Sequence, residues 1–196
     1  MKLSRKNTWV VGLTGNMASG KSVALSYFAK QGALTLSADE LVRQLYASDE
    51  VQKKLISWFG SCESSKIAQE VFNNSSSREK LEKFLHPKVL KLAREEIKKT
   101  TRSLIVFEVP LLFEAGWNKF TDLNVLVVGN PHTLKQRLQA RRVTVAEYKR
   151  RIKAQMPDSE KARLADVILF NGGSKKDLGL KIERLCKAFR YIYGLK

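Results

Sequence analysis

No run of this chain approaches the roughly 20 apolar residues that a helix needs to cross a bilayer, so a soluble, cytoplasmic protein is expected. The only apolar run near the N-terminus is too brief for a signal segment and passes straight into a glycine-rich turn, so it reads as a strand. Cysteine is scarce: Cys62 and Cys186 stand alone, with no C-x-x-C spacing. That argues against a disulfide framework and a zinc site and makes a reducing compartment the default. Internal repeats and long low-complexity segments are missing, and Ser75–Ser77 reads as a loop. Acidic residues are few beside basic ones, 19 against 36, which leaves a net charge of +17. Three uses of that excess stay open: nucleic-acid or membrane-surface contact, the phosphates of small polyanions, or a solvated surface. Aromatics do not interleave with the basic residues as they do in RNA-binding sheets. Of the 196 residues, 43% are hydrophobic, enough for one cored domain with insertions.

What is present starts at Gly15-Asn16-Met17-Ala18-Ser19-Gly20-Lys21-Ser22, which fits G-x-x-x-x-G-K-[ST]. An apolar run, Trp9 to Leu13, precedes it and a helical pattern follows, the context this motif requires. Two glycines let the backbone turn its N–H groups inward at phosphate oxygens, and the helix N-terminus adds its positive dipole end. Lys21 is placed to reach the β- and γ-phosphates and the Ser22 hydroxyl to ligate Mg²⁺. The alternative is a strand-to-helix turn that binds nothing. The motif names a nucleoside triphosphate and leaves the phosphate acceptor open.

Five continuous apolar runs read as buried strands: Thr8–Leu13, Ala33–Leu36, Leu104–Val109, Leu123–Val128 and Val167–Phe170. Helical patterns separate them, which predicts an α/β fold with a parallel five-stranded sheet flanked by helices. The first crossover helix, Ser22–Gln31, stops at Gly32. From Val51 to Thr101 the pattern is helical throughout, with polar turns at Ser61–Ser65 and Asn73–Ser77 and a break between two helices at His86-Pro87. The last helix carries Leu178, Ile182, Leu185, Phe189 and Ile192 as a core stripe. The expected organisation is a core of residues 7–37, 102–134 and 164–196, a helical acceptor-binding insert 38–101, and a lid 135–163.

Several charged residues fall where chemistry is expected. Asp39 follows the second strand, on the sheet edge where open α/β sheets bind ligands. There it serves Mg²⁺, takes a proton from the acceptor hydroxyl, or caps a helix. Glu108 at the end of the third strand and Glu114 just beyond it are ligand-facing acids, surface carboxylates or internal ion pairs. Arg137 and Arg141 share one helix face, Arg142 follows, and Arg150-Arg151 precede Gln155. Two basic segments hinged near Val143 and Thr144 make either a lid over the triphosphate or two solvated helices.

These motifs, in order along nearly the whole chain, resemble the dephospho-coenzyme A kinase family of phosphate-loop kinases. The resemblance rests on Gly12–Gly15 leading into the loop, Ala38-Asp39, Val71-Phe72, Leu81-Glu82, His86-Pro87, Pro110–Glu114, Arg137 with Arg141, Arg151-Ile152, Gln155–Pro157, Lys161, Ala165-Asp166 and Asn171. It implies ATP-dependent phosphorylation of the ribose 3′-hydroxyl of dephospho-coenzyme A, with ATP and Mg²⁺ as cofactors. It makes Lys21, Asp39, Arg141 and Thr14 the catalytic set and Ser22 with Asp39 the metal ligands. It gives the nucleotide residues Gly15, Asn16, Met17, Ala18, Ser19, Gly20, Lys21, Ser22, Val23, Arg137 and Asn171. It puts Asp39, His86, Leu111, Leu112 and Glu114 on the acceptor side. The expected partner is dephospho-coenzyme A alone, with no membrane and no dedicated nucleic acid, on a monomer or weak homo-oligomer. Another small-molecule or nucleotide kinase, or a basic nucleic-acid-binding protein with a vestigial loop, remains the alternative. The chain departs from the family at Ser37, where Asp is usual, at Asn16, Met17, Ala18 and Val23 in the loop, and at Ser64–Ile67, where Leu-Asp-Arg is usual. Asn16 and Ala18 are expected to carry dihedrals that glycine normally takes.

Overall fold

A computed structural model describes residues 2–5, 7–140, 143–153 and 155–194. Five strands, β1 (Trp9–Thr14), β2 (Leu34–Ser37), β3 (Leu104–Glu108), β4 (Leu123–Gly129) and β5 (Val167–Asn171), form one sheet in the order β2-β3-β1-β4-β5. The β1–β3, β1–β4 and β4–β5 ladders are all parallel, with Val11 level with Val106 and Leu123. The order reverses beside β1, so the loop leaving β1 opens at the switch point where such sheets bind ligands.

In β1 and β3 the residues point alternately to two buried faces, which is why those runs are continuously apolar; on β5, Ile168 and Phe170 are half exposed. One face carries Val11, Leu13, Val106, Val125, Val127 and Leu169, packed with Phe28 of α1 (Lys21–Lys30) and with Ile182 and Phe189 of α9 (Lys175–Tyr193). Gly179 lets α9 approach α1, since a Cβ there would enter the Tyr27 ring. A capping box between Ser174 and Asp177 starts α9.

The chain divides into two compact units, residues 1–36 with 100–196, and residues 37–99. The second is helical: α2 (Ala38–Tyr46), α3 (Asp49–Phe59), α4 (Ser64–Asn73) and α5 (Ser75–Lys99). Val51, Leu55, Ile67, Leu81 and Leu85 form its core. Two sequence expectations fail here. Ser75–Ser77 is not a loop but the first turn of α5, because Asn74, the one residue between α4 and α5, accepts through Oδ1 from Ser76 N and Ser77 N and starts the helix. His86-Pro87 does not divide two helices: Pro87 lies inside one 25-residue helix. The lost amide bond is tolerated because buried residues hold both halves, Leu81 and Leu85 before it and Val89, Ala93 and Ile97 after it. In the core unit, α6 (Pro131–Ala140), α7 (Val145–Lys153) and α8 (Asp158–Leu164) precede β5.

Candidate active site

The loop from β1 to α1 is shaped by its glycines. Gly15 has φ +148 and Gly20 φ +108; a Cβ on Gly15 would strike Val127 O, and one on Gly20 the Asn171 amide. Among the other described loop residues, Ala18 has φ +63, a strain on the order of 1 kcal/mol. Asn16, expected to share that strain, is not in the left-handed region. Gly20 caps α1 without a side-chain bond, which leaves the first-turn N–H groups to face the loop. Lys21 Nζ lies across the mouth, donating to Gly15 O at 2.8 Å and Asn16 O at 3.3 Å. Ser22 is exposed in the first turn of α1. These groups fit a triphosphate: a turn too narrow for side chains, a helix start and one ammonium.

Two carbonyls of the loop, Ala18 O and Ser19 O, find donors on other elements. Arg137 Nη1 donates to Ala18 O at 3.1 Å and Ser19 O at 3.2 Å, and its Nη2 to Asn171 O at 3.1 Å. Asn171 Nδ2 donates to Ser19 O at 2.8 Å. Arg137 and Asn171, expected at the nucleotide, therefore brace the loop from outside, and they also line a cavity of about 290 Å³ with Val23 and Lys175.

The inner flank is built on Pro110. Fully buried Thr14 donates through Oγ1 to Pro110 O at 3.2 Å, and Lys161 Nζ reaches the same oxygen at 3.3 Å. Lys161 is 0% exposed and pairs with Glu114 Oε1 at 3.0 Å, which also accepts Met156 N at 2.8 Å. Glu114 is thus an internal ion pair. Leu112 is 0% exposed and its Cδ2 fills the space beside Gly12, 2.9 Å from where a Cβ would stand, so it belongs to the core rather than to an acceptor surface. Leu111 is partly exposed. Glu108, the last residue of β3, is 9% exposed.

Gln155 Oε1 accepts from Met17 N at 3.0 Å. Asp158 lines a cavity of about 180 Å³ with Asn16–Ser19 and Ile152. Burial pushes its carboxyl above the usual range, against the pull of Lys161 and Lys21. The sequence motifs include Lys161 without a chemical role and leave Asp158 out. Lysine in a polar helix reads as solvated, and only the fold shows it enclosed.

The helical unit carries the other two candidates. Asp39 is exposed in the first turn of α2, whose N-cap, Ser37, makes no side-chain cap bond. His86 is partly buried in α5, and that burial holds its imidazole below the usual histidine range, opposed by Glu82. Arg141 and Arg142 lie outside the described residues.

Comparison with known proteins gives a consistent picture. The family model for dephospho-CoA kinase matches residues 9–177. A dephospho-CoA kinase of Fusobacterium nucleatum subsp. nucleatum is 34% identical over 187 residues, covering 91% of this chain and 97% of that one. One from Chlamydia pneumoniae is 32% identical over 199 residues, covering 95% and 96%. The crystal structure of TT1252 from Thermus thermophilus superposes with a TM-score of 0.83 at 30% identity, covering 92% and 97%. Shikimate kinase from Acinetobacter baumannii shares the fold, with a TM-score of 0.55 at 15% identity over 92% of this chain and 94% of that one.

Proposed function

The chain belongs to the dephospho-CoA kinase family, and from that premise we propose that it transfers the γ-phosphoryl group of ATP to the ribose 3′-hydroxyl of dephospho-coenzyme A. The observation that carries the reading is the Gly15–Ser22 cradle with Lys21 laid across it. The first-turn N–H groups of α1 hold the β-phosphate, and Lys21 leaves its carbonyl partners for the β/γ oxygens. Asp39 accepts the 3′-hydroxyl proton as that oxygen bonds to the γ-phosphorus. The bond from phosphorus to the bridging oxygen breaks, and ADP departs. Arg137 and Asn171 keep the cradle in shape, and Thr14 with Pro110 sets its inner wall. Arg141 is assigned to charge on the transferred group, and His86 and Leu111 to the acceptor.

Mg²⁺ would be held by the exposed Ser22 hydroxyl, with Asp39 as the assigned carboxylate. No group of three or more His, Cys, Asp or Glu able to hold a metal occurs among the described residues. Mg²⁺ bound beside a nucleotide generally takes most of its ligands from phosphate oxygens and water. When bound, it neutralises charge on the phosphates. The partners in this reading are the two substrates, and no helix among the described residues is long and apolar enough to cross a membrane.

A coupled ADP-release assay on the purified protein, with dephospho-coenzyme A, adenosine and shikimate as acceptors, tests the proposal. Dephospho-coenzyme A is expected to give the highest kcat/KM. A higher value for another acceptor, or no ADP with any, overturns it.

A further inference from the structure

We propose that Gln155 is a positioning residue for phosphoryl transfer, an amide outside the phosphate loop that holds it by the Met17 N–H and fixes its productive geometry. The inference rests on the reading that this loop holds ATP.

The contact joins residues far apart in sequence: Met17 N donates to Gln155 Oε1 at 3.0 Å. Met17 lies between Asn16, whose carbonyl receives Lys21 Nζ, and Ala18, whose carbonyl receives Arg137. A shift at Met17 therefore moves both the reactive lysine and the outer brace. Within the loop, Ser19 N already bonds Asn16 O at 3.1 Å, so this turn is closed on itself and Gln155 is the connection Met17 N makes outward.

The anchor behind Gln155 is stiff. The next residue, Met156, donates its N–H to Glu114 Oε1 at 2.8 Å. Glu114 is paired with Lys161, which is 0% exposed and also reaches Pro110 O, the oxygen that Thr14 Oγ1 uses. A fully buried ammonium keeps its place only with its partners, because losing one strands a charge. The segment from Gln155 to Lys161 thus connects the outer turn of the loop to its inner wall.

The side-chain type suits the place. An amide oxygen accepts from the N–H and carries no net charge, so it can sit beside a triphosphate. A carboxylate of the same shape keeps the acceptor but repels phosphoryl oxygens. A side chain that merely stabilised the loop would not need this neutrality.

The test uses the full-length protein with Gln155→Ala and the isosteric Gln155→Glu. It reads kcat, both KM values, acceptor-free ADP release and hydrogen exchange at the Met17 amide. In Gln155→Ala the Met17 amide is expected to exchange at least about tenfold faster without nucleotide. Its kcat should fall by at least about tenfold, with KM for ATP within about threefold, since small misplacements of reacting groups act on the transition state. Acceptor-free hydrolysis should rise relative to transfer. Gln155→Glu should keep the Met17 protection and still lose kcat. The inference is overturned if Gln155→Ala keeps wild-type exchange at Met17. It is also overturned if Gln155→Ala keeps wild-type kcat. The exchange measurements need no acceptor, so a wild type inactive on dephospho-coenzyme A sinks the proposed function while this test still reads.

Discussion

Lys161 carries a charge with no access to water, and its worth lies in what its removal would strand. Glu114 Oε1 faces it, and Glu114 Oε2 is buried with no hydrogen-bond partner, so a neutral residue at 161 leaves an uncompensated carboxylate. Lys161→Met is expected to lower the unfolding free energy by about 3–5 kcal/mol, and adding Glu114→Gln to recover most of the loss. Urea melts of the two variants check this; a loss below about 1 kcal/mol in the single variant rejects the account. Lys21 and Asp39 are assigned to charge and to the proton, so Lys21→Ala and Asp39→Ala should each lower kcat by at least ~10²-fold in steady-state assays. His86 gives a pH signature. Burial favours its neutral form, so its folded pKa lies below the ordinary value of 6.5. Between the two values the unfolded chain binds more protons, and stability therefore rises with pH across that window. Thermal melts should show stability lost as pH falls below about 6.5, and a shallower loss in His86→Gln. Equal slopes would assign the loss to other groups.

Among the elements, α5 departs most from sequence expectation. Pro87 marks a helix start by its usual preference, yet Ser75–Lys99 runs through it. Burial on both sides overrode the local rule, and burial partners are not written in local spacing. Pro87→Ala is expected to raise the stability of the protein by about 1–3 kcal/mol by restoring the bond to Lys83 O. A fall in calorimetric melting temperature would show that α5 needs the proline's geometry. The strands were legible to within one or two residues, because strands buried on both faces, as β1 and β3 are, must be apolar throughout. The phosphate-loop cradle was legible for the same kind of reason: glycine spacing states a backbone geometry directly. The brace around it was not. The motif series places Arg137 and Asn171 at the nucleotide, while their bonds to Ala18 O and Ser19 O depend on where two distant elements meet.

For the molecule as a whole, the net charge of +17 is unevenly shared. Residues 37–99 carry nearly balanced charge, so almost all of the excess lies on the unit with the phosphate loop. A positive field on that unit draws polyanionic substrates and weakens with salt. KM for ATP is expected to rise severalfold as ionic strength goes from ~0.05 to ~0.5 M, with kcat changing less than about twofold. A salt-independent KM would mean that the charge only solvates the surface.

The order of apolar runs, the glycine-lysine turn and the motif series were enough to give the sheet, the phosphate cradle and the family, because each is a statement about neighbouring residues and backbone geometry. Packing alone decided the rest. It enclosed Lys161 against Glu114, set Gln155 on Met17, put Leu112 in the core and pressed Gly179 against Tyr27. Each of these joins residues from separate elements, and the energy of such a contact depends on a distance that no local pattern encodes.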